Sequence, residues 1–269
     1  MILDAHLHFS SHEHMDRAAE AAGHRNTPEH LCELFRQCGI ARGVVMGNGA
    51  PPVFPDSAPP LSFCVGLDGE RLSGPGASAV LAETEKTLAR PDCVGIKIYL
   101  GYDYAYPSDP KFLPLYELAA ACGKPVVFHT GDTAGNRGKV KYSHPLGVDE
   151  VAVDFPKTQF VLAHCGNPWI VDAVEVAAKN ANAALDLSGL AVGNFDPEQL
   201  YRRYEAYWNH LRMWIDYLSD DGKIMYGSDW PLVNIPAYLA LMRRVVPERA
   251  HEPFFQTNAR RIFHLPASD

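Results

Sequence analysis

Short apolar, β-rich runs return eight times along this chain, each followed by turn residues and most by a segment with helical periodicity. They are Ile2 to Phe9, Gly43 to Gly47, Ser62 to Leu67, Val94 to Tyr99, Pro125 to His129, Phe160 to His164, Ala184 to Leu187 and Ile224 to Gly227. Regular strand–helix alternation prescribes a parallel sheet, whose strands are buried on both faces and read as near-continuous apolar runs. Thr27-Pro28, Asp109-Pro110, Asn167-Pro168 and Asp196-Pro197 each offer an N-cap followed by Pro at the first helical position. Pro168 to Asn180 is the clearest helix, and Cys38-Gly39, Cys122-Gly123 and Asp221-Gly222 supply stops before the next strand. Eight βα units in 269 residues leave about 34 residues each. That suits an α/β fold closed as a single-domain (β/α)8 barrel of the TIM type, distorted and spanning residues 1–269, with a doubly wound open sheet as the alternative. Asn48 to Pro60 is Pro-rich and is expected to be a surface loop.

Composition removes several functions. With 24 Lys plus Arg against 32 Asp plus Glu the net charge is −8, and no basic run offers a face for nucleic acid. No apolar stretch reaches the roughly 18 to 20 residues that cross a bilayer, and the start lacks the layout of a signal peptide. A cytoplasmic protein without membrane association is therefore expected. The six cysteines have no C-x-x-C spacing and are read as reduced and mostly buried. Gly47-Asn48-Gly49 and Gly74-Pro75-Gly76 lack phosphate-loop spacing, and Ser228 lacks the surroundings of a nucleophilic serine.

The chemistry sits at strand ends. In Asp4-Ala5-His6-Leu7-His8 the period-two geometry of a strand puts His6 and His8 on one face, where both imidazoles can grip one ion. Lys97, His129, His164 and Asp229 stand at or near the ends of four other strands. In a parallel barrel those ends share one rim, where barrel enzymes build their sites. Several imidazoles and a carboxylate match zinc and similar divalent ions.

This pattern resembles the amidohydrolase superfamily of metal-dependent barrel enzymes. The local wording of Asp4-Ala5-His6-x-His8, His164-Cys165-Gly166 and Tyr226-Gly227-Ser228-Asp229-Trp230-Pro231 is most similar to its amidohydrolase-related branch, which also holds non-oxidative decarboxylases. The likeness runs to the closing Asn258-Ala259-Arg260-Arg261-Ile262-Phe263. It implies that His6, His8, His129 and Asp229 hold a divalent ion, zinc by expectation, and that Asp229 also shuttles the proton of an activated water. It further implies a small-molecule substrate and allows a homodimer through outer helices.

Two residues keep alternatives open. Lys97, flanked by Ile96 and Ile98, points inward by alternation. It is a carboxylated ligand bridging two ions, a cation for a substrate carboxylate, or half of a structural ion pair. His164 is a ligand in the two-ion case and a general acid/base in the one-ion case, which is the expected arrangement. Candidate substrate contacts are Tyr99, with Tyr102, Tyr104 and Tyr106 behind it, Trp169, Trp230, and Arg137 and His144 on the locally basic segment after the fifth strand. His12 and His14 receive no role beyond lining. The expected reaction is metal-assisted hydrolysis of an amide, ester or lactone. Non-oxidative decarboxylation of an unsaturated or aromatic acid is the alternative, and a metal-binding scaffold without turnover is a third reading.

Overall fold

The computed structural model describes residues 1–67 and 69–266. Eight strands, β1 (Ile2–Leu7), β2 (Ile40–Met46), β3 (Leu61–Leu67), β4 (Cys93–Ile98), β5 (Val126–His129), β6 (Phe160–Ala163), β7 (Ala183–Asp186) and β8 (Ile224–Met225), pair in parallel and in sequence order. The ring closes through the segment after β8. Ala5 N–H donates to the Tyr226 carbonyl (2.9 Å), Asp229 N–H to that of His6 (2.8 Å), and His8 N–H to that of Trp230 (2.7 Å). This is the expected barrel, and all eight strands lie where the apolar runs place them.

Two apolar layers follow from the strand period. Phe63, Ile96, Phe128, Phe160 and Leu185 face the surrounding helices. Leu3, Val44, Val127, Val161, Ala184 and Met225 form an inner cluster, completed by Ala259, Ile262, Phe263 and Leu265 from the end of the chain. The helix Asn258–Ile262 and the turn after it thus plug the barrel at the end away from the strands' C-termini. Among the described residues no helix long and apolar enough to cross a membrane is present. All six cysteines are free.

The alternation breaks once. Among the described residues no helix joins β2 to β3. Pro51, Pro52, Pro55, Pro59 and Pro60 remove the N–H donors a helix would need there. Thr27 and Asp196 cap their helices as expected, accepting from His30 N–H and Gln199 N–H. The other two candidates do not. Asp109 accepts from Lys111 N–H in a turn ahead of the helix Leu113–Cys122, and Asn167 accepts the Tyr207 hydroxyl while the helix Ile170–Lys179 starts beyond it. Gly39 and Gly123 are left-handed stops, but Asp221–Lys223 is a separate short turn, and the helix Glu205–Leu218 ends at left-handed Ser219.

Phe263 is fully buried, so Phe263→Ala should lower stability by about 3 to 5 kcal/mol. Denaturant unfolding measures this, and a loss below about 1 kcal/mol would show that the plug is not part of the core.

Candidate metal centre

The site is assembled at the seam between β1 and β8. Leu3 and Ala5 belong to the inner cluster, whereas Leu7 belongs to the outer one. Between them the β1–β2 register shifts, from Asp4 to Leu7, and this change of phase turns His6 and His8 toward the barrel mouth. Asp229 is left-handed (φ 64°), a conformation that Asp tolerates, and is held by its N–H on His6 and by the Leu232 N–H on its own carbonyl. Asp4 fastens this turn from below. Its Oδ1 accepts from Ser228 N–H (2.8 Å) and His6 N–H (3.3 Å). Burial pushes the Asp4 carboxyl up to about 7 against those bonds.

His6, His8 and Asp229 bring their ligand atoms within 4.8 Å of one another. Asp229 Oδ1 lies 3.6 Å from His6 Nε2 and 3.2 Å from His8 Nε2. Burial works to raise the Asp229 carboxyl, but the close contact with His8 and the His164 and His6 imidazoles beside it outweigh burial and hold the group well below the usual carboxylate range. His6 moves the other way. Burial first, then Lys97, pushes its imidazolium down to about 4, so the ring is neutral near pH 7.

A carboxylate that the strand-end reading overlooked orients this ring. Asp186, at the end of β7, accepts from His6 Nδ1 at 2.7 Å. Its other oxygen takes the Ser188 N–H (3.0 Å) and the Ser188 hydroxyl. Burial works to raise Asp186 too, yet His6, His164 and Lys97 keep it ionised. The signal was present in Leu185-Asp186-Leu187, the same alternation that singled out Lys97.

The tautomers follow from the partners, since carboxylate and carbonyl oxygens only accept. His6 carries its proton on Nδ1 and aims the Nε2 lone pair at Asp229. His129 gives its Nε2 proton to the Asp132 carbonyl (2.8 Å), and His164 gives its Nδ1 proton to the Ser188 carbonyl (3.1 Å). His129 Nδ1 and His164 Nε2 then face each other, lone pair to lone pair, at 3.1 Å. Burial, with His164 and Lys97 nearby, pushes the His129 imidazolium well below its ordinary value. Facing lone pairs repel unless a proton or a cation lies between them. The buried His6 Nε2, His8 Nδ1 and Asp229 Oδ1 have no hydrogen-bond partner. The donor set therefore fits a divalent ion, and Asp186–His6 is the outer carboxylate–histidine pair that orients such ligands.

Four imidazoles run in an arc, with ring centroids 5.5 Å apart for His8–His6, 4.9 Å for His6–His164 and 4.7 Å for His164–His129. His129 thus stands beyond the triad, across His164. Two glycines missed in the sequence make room. A Cβ on Gly189 would meet Asp229 Oδ2 at 2.5 Å, and one on Gly227 would meet the His6 Cβ at 2.6 Å.

The substrate candidates divide. Tyr99 and Tyr102 pack on His129, with ring centroids 5.9 and 5.5 Å away. Trp169 packs on His144 (4.8 Å), which reaches Asp172 (3.5 Å), at the rim. Arg137 is exposed, and its carbonyl accepts the Tyr104 hydroxyl. Trp230 does not line a pocket: it is 1% exposed, packed against His24 and His30 from the β1–β2 connection. Lys97 is fully buried, and burial pushes its ammonium down to about 8 against the pull of Asp186 and Asp229.

Residues 3–265 match the amidohydrolase family profile. The chain belongs to the amidohydrolase family. Among solved structures it is similar to an amidohydrolase from Burkholderia multivorans with bound zinc (17% identity, TM-score 0.67, 99% of this chain and 100% of that one). It is also similar to 5-carboxyvanillate decarboxylase from Sphingomonas paucimobilis (15%, 0.65, 98% and 99%). A third is a probable 2-pyrone-4,6-dicarboxylic acid hydrolase from Acinetobacter baumannii with citric acid bound (14%, 0.63, 98% and 99%). At these identities the likeness is one of fold. No curated protein matches the chain.

Asp186→Asn should weaken metal affinity by about 10- to 100-fold, read by chelator competition, and unchanged affinity would remove Asp186 from the site. Acid should act on the metal-free protein through His6. Its folded value of about 4 lies under the 6.5 of an unperturbed histidine. Between those values the unfolded chain binds the extra proton, so the His6 contribution to stability rises with pH. Asp4, raised to about 7, slopes the opposite way. The stability difference between wild type and His6→Asn cancels it, and should grow in favour of wild type from about pH 4 to 6.5. A flat difference would mean that His6 is not held neutral.

Proposed function

We propose that this amidohydrolase is a metal-dependent hydrolase, acting with one zinc ion on an amide, ester or lactone carbonyl of a small carboxylate-bearing substrate. The observation that carries the reading is the convergence of unprotonated His6 Nε2 and ionised Asp229 Oδ1, beside His8, at a buried point with no hydrogen bond to satisfy either. Zinc is favoured by the imidazole-rich donor set and by the zinc bound in the Burkholderia multivorans structure. His6, His8 and Asp229 would hold the ion, with His129 joining them. When bound, the ion supplies Lewis acidity, polarising a carbonyl and letting water ionise near neutral pH.

The remaining work falls to side chains. Asp229, kept ionised, takes the proton of the attacking water and returns it to the leaving nitrogen or oxygen. His164 is anchored through Nδ1 on the Ser188 carbonyl, and its Nε2, beside His129 Nδ1, would serve the reacting group as acid or base. Tyr99 and Tyr102 cover His129 and give the mouth an aromatic side. Decarboxylation is the second reading, favoured by the likeness to the Sphingomonas paucimobilis decarboxylase.

Elemental analysis should find about one zinc per chain, and chelation should abolish turnover on a lactone, ester and amide panel. In Asp229→Asn, kcat should fall by about 10²- to 10⁴-fold. His6→Ala should lose metal and turnover together. Undiminished turnover after metal removal would overturn the reading, and release of CO2 from an aromatic acid without hydrolysis would replace it with the lyase.

A further inference from the structure

We propose that Lys97 and Tyr99 together form the site that grips a carboxylate of the substrate, separate from the metal ligands. The proposal deepens the hydrolase reading and rests on it for the substrate's reacting end. Lys97 Nζ is fully enclosed and the Tyr99 hydroxyl is buried, yet neither has a hydrogen-bond partner. Nζ lies 5.2 Å from the Tyr99 ring centroid. Its charge couples to Asp186 and Asp229 and to His6 and His129, so it stands beside the metal centre. The Tyr99 ring borders the same centre through His129.

Two arguments select an anion. The ammonium offers three donors and no acceptor, and the phenol adds a fourth. An acceptor-only group with several lone pairs, a carboxylate, satisfies them best. The second argument is charge. One divalent ion against ionised Asp186 and Asp229 leaves the centre neutral, and the Lys97 ammonium is the surplus. A buried surplus cation is stabilised by a bound anion. A carbamate on Lys97 would reverse that sign and call for a second divalent ion. Arg137, the sequence's candidate for this duty, is exposed on its loop, so the buried pair takes precedence. The Tyr99 and Tyr102 rings beside it favour a carboxylate on a flat, unsaturated frame.

Isophthalate, a planar dicarboxylate, and its neutral diamide serve as probes. Calorimetric titration into zinc-loaded and metal-free protein compares wild type, Lys97→Met and Tyr99→Phe, with thermal melting as the folding control. Isophthalate should bind zinc-loaded wild type, and metal-free wild type more weakly, because without the ion Asp186 and Asp229 outweigh the ammonium. Binding should weaken by about tenfold or more in Lys97→Met and by several-fold in Tyr99→Phe, with zinc content unchanged and the diamide indifferent to either variant. Tyr99→Phe, which removes one oxygen, keeps the proposal decidable if Lys97→Met fails to fold. Absence of isophthalate binding to wild type, or equal binding in the variants, overturns it. So does zinc falling from two equivalents to one in Lys97→Met together with loss of the mass of CO2, which would make Lys97 a bridging ligand. Failure of wild type to hold zinc would sink the hydrolase reading and the charge argument, while a loss of the weaker metal-free binding in both variants would still assign the donors to Lys97 and Tyr99.

Discussion

A ring of strands has one seam, and here the seam holds the candidate site. β8 keeps regular pairing for only two residues, Ile224–Met225. Beyond it the backbone stays against β1 through three hydrogen bonds at Tyr226, Asp229 and Trp230 and through the Asp4 carboxylate on Ser228 N–H. Those bonds bring Asp229 to His6 and His8. The same contacts that close the barrel therefore set the spacing of the candidate ligands, and any change that loosens the seam would act on stability and on the proposed metal site at once.

Above the seam, burial decides protonation. His6 and His129, cut off from water, are held neutral, which leaves their lone pairs for a cation. Carboxylates without water would take up protons, and Asp4 moves that way, whereas Asp186, bonded by His6 and beside Lys97, and Asp229, packed among His6, His8 and His164, are held low. The centre is thus poised by neighbours rather than by solvent. Ser188 links two parts of it, giving its hydroxyl to Asp186 and its carbonyl to His164, so the two sides of the arc share one short segment after β7.

Much of this was legible because parallel barrel strands are unbroken apolar runs, in which one polar residue at the end stands out. His6, His129 and His164 were visible in that way, and so was Lys97. Asp186 carries the same signal, a lone carboxylate between Leu185 and Leu187 in the seventh run. Other features depend on contacts between distant segments. Burial of Trp230 comes from His24 and His30, on the far side of β1, and nothing beside Trp230 in sequence announces them. The need for glycine at positions 189 and 227 arises from Asp229 and His6, which only the closed ring brings near. The missing helix between β2 and β3 was readable from its prolines.

The plug of Ala259, Ile262 and Phe263 packs beneath strands that begin at residue 2. Asp4 and Ser228, whose bond underlies the ligand triad, are 224 residues apart. A ribosome therefore releases the first two candidate ligands long before their partner exists, and the turn that fills the barrel follows Asp229 out of the exit tunnel. Assembly of the proposed metal site is in this way tied to synthesis of the segment after β8: a chain terminated before Asp229 exposes His6 and His8 without a carboxylate to join them.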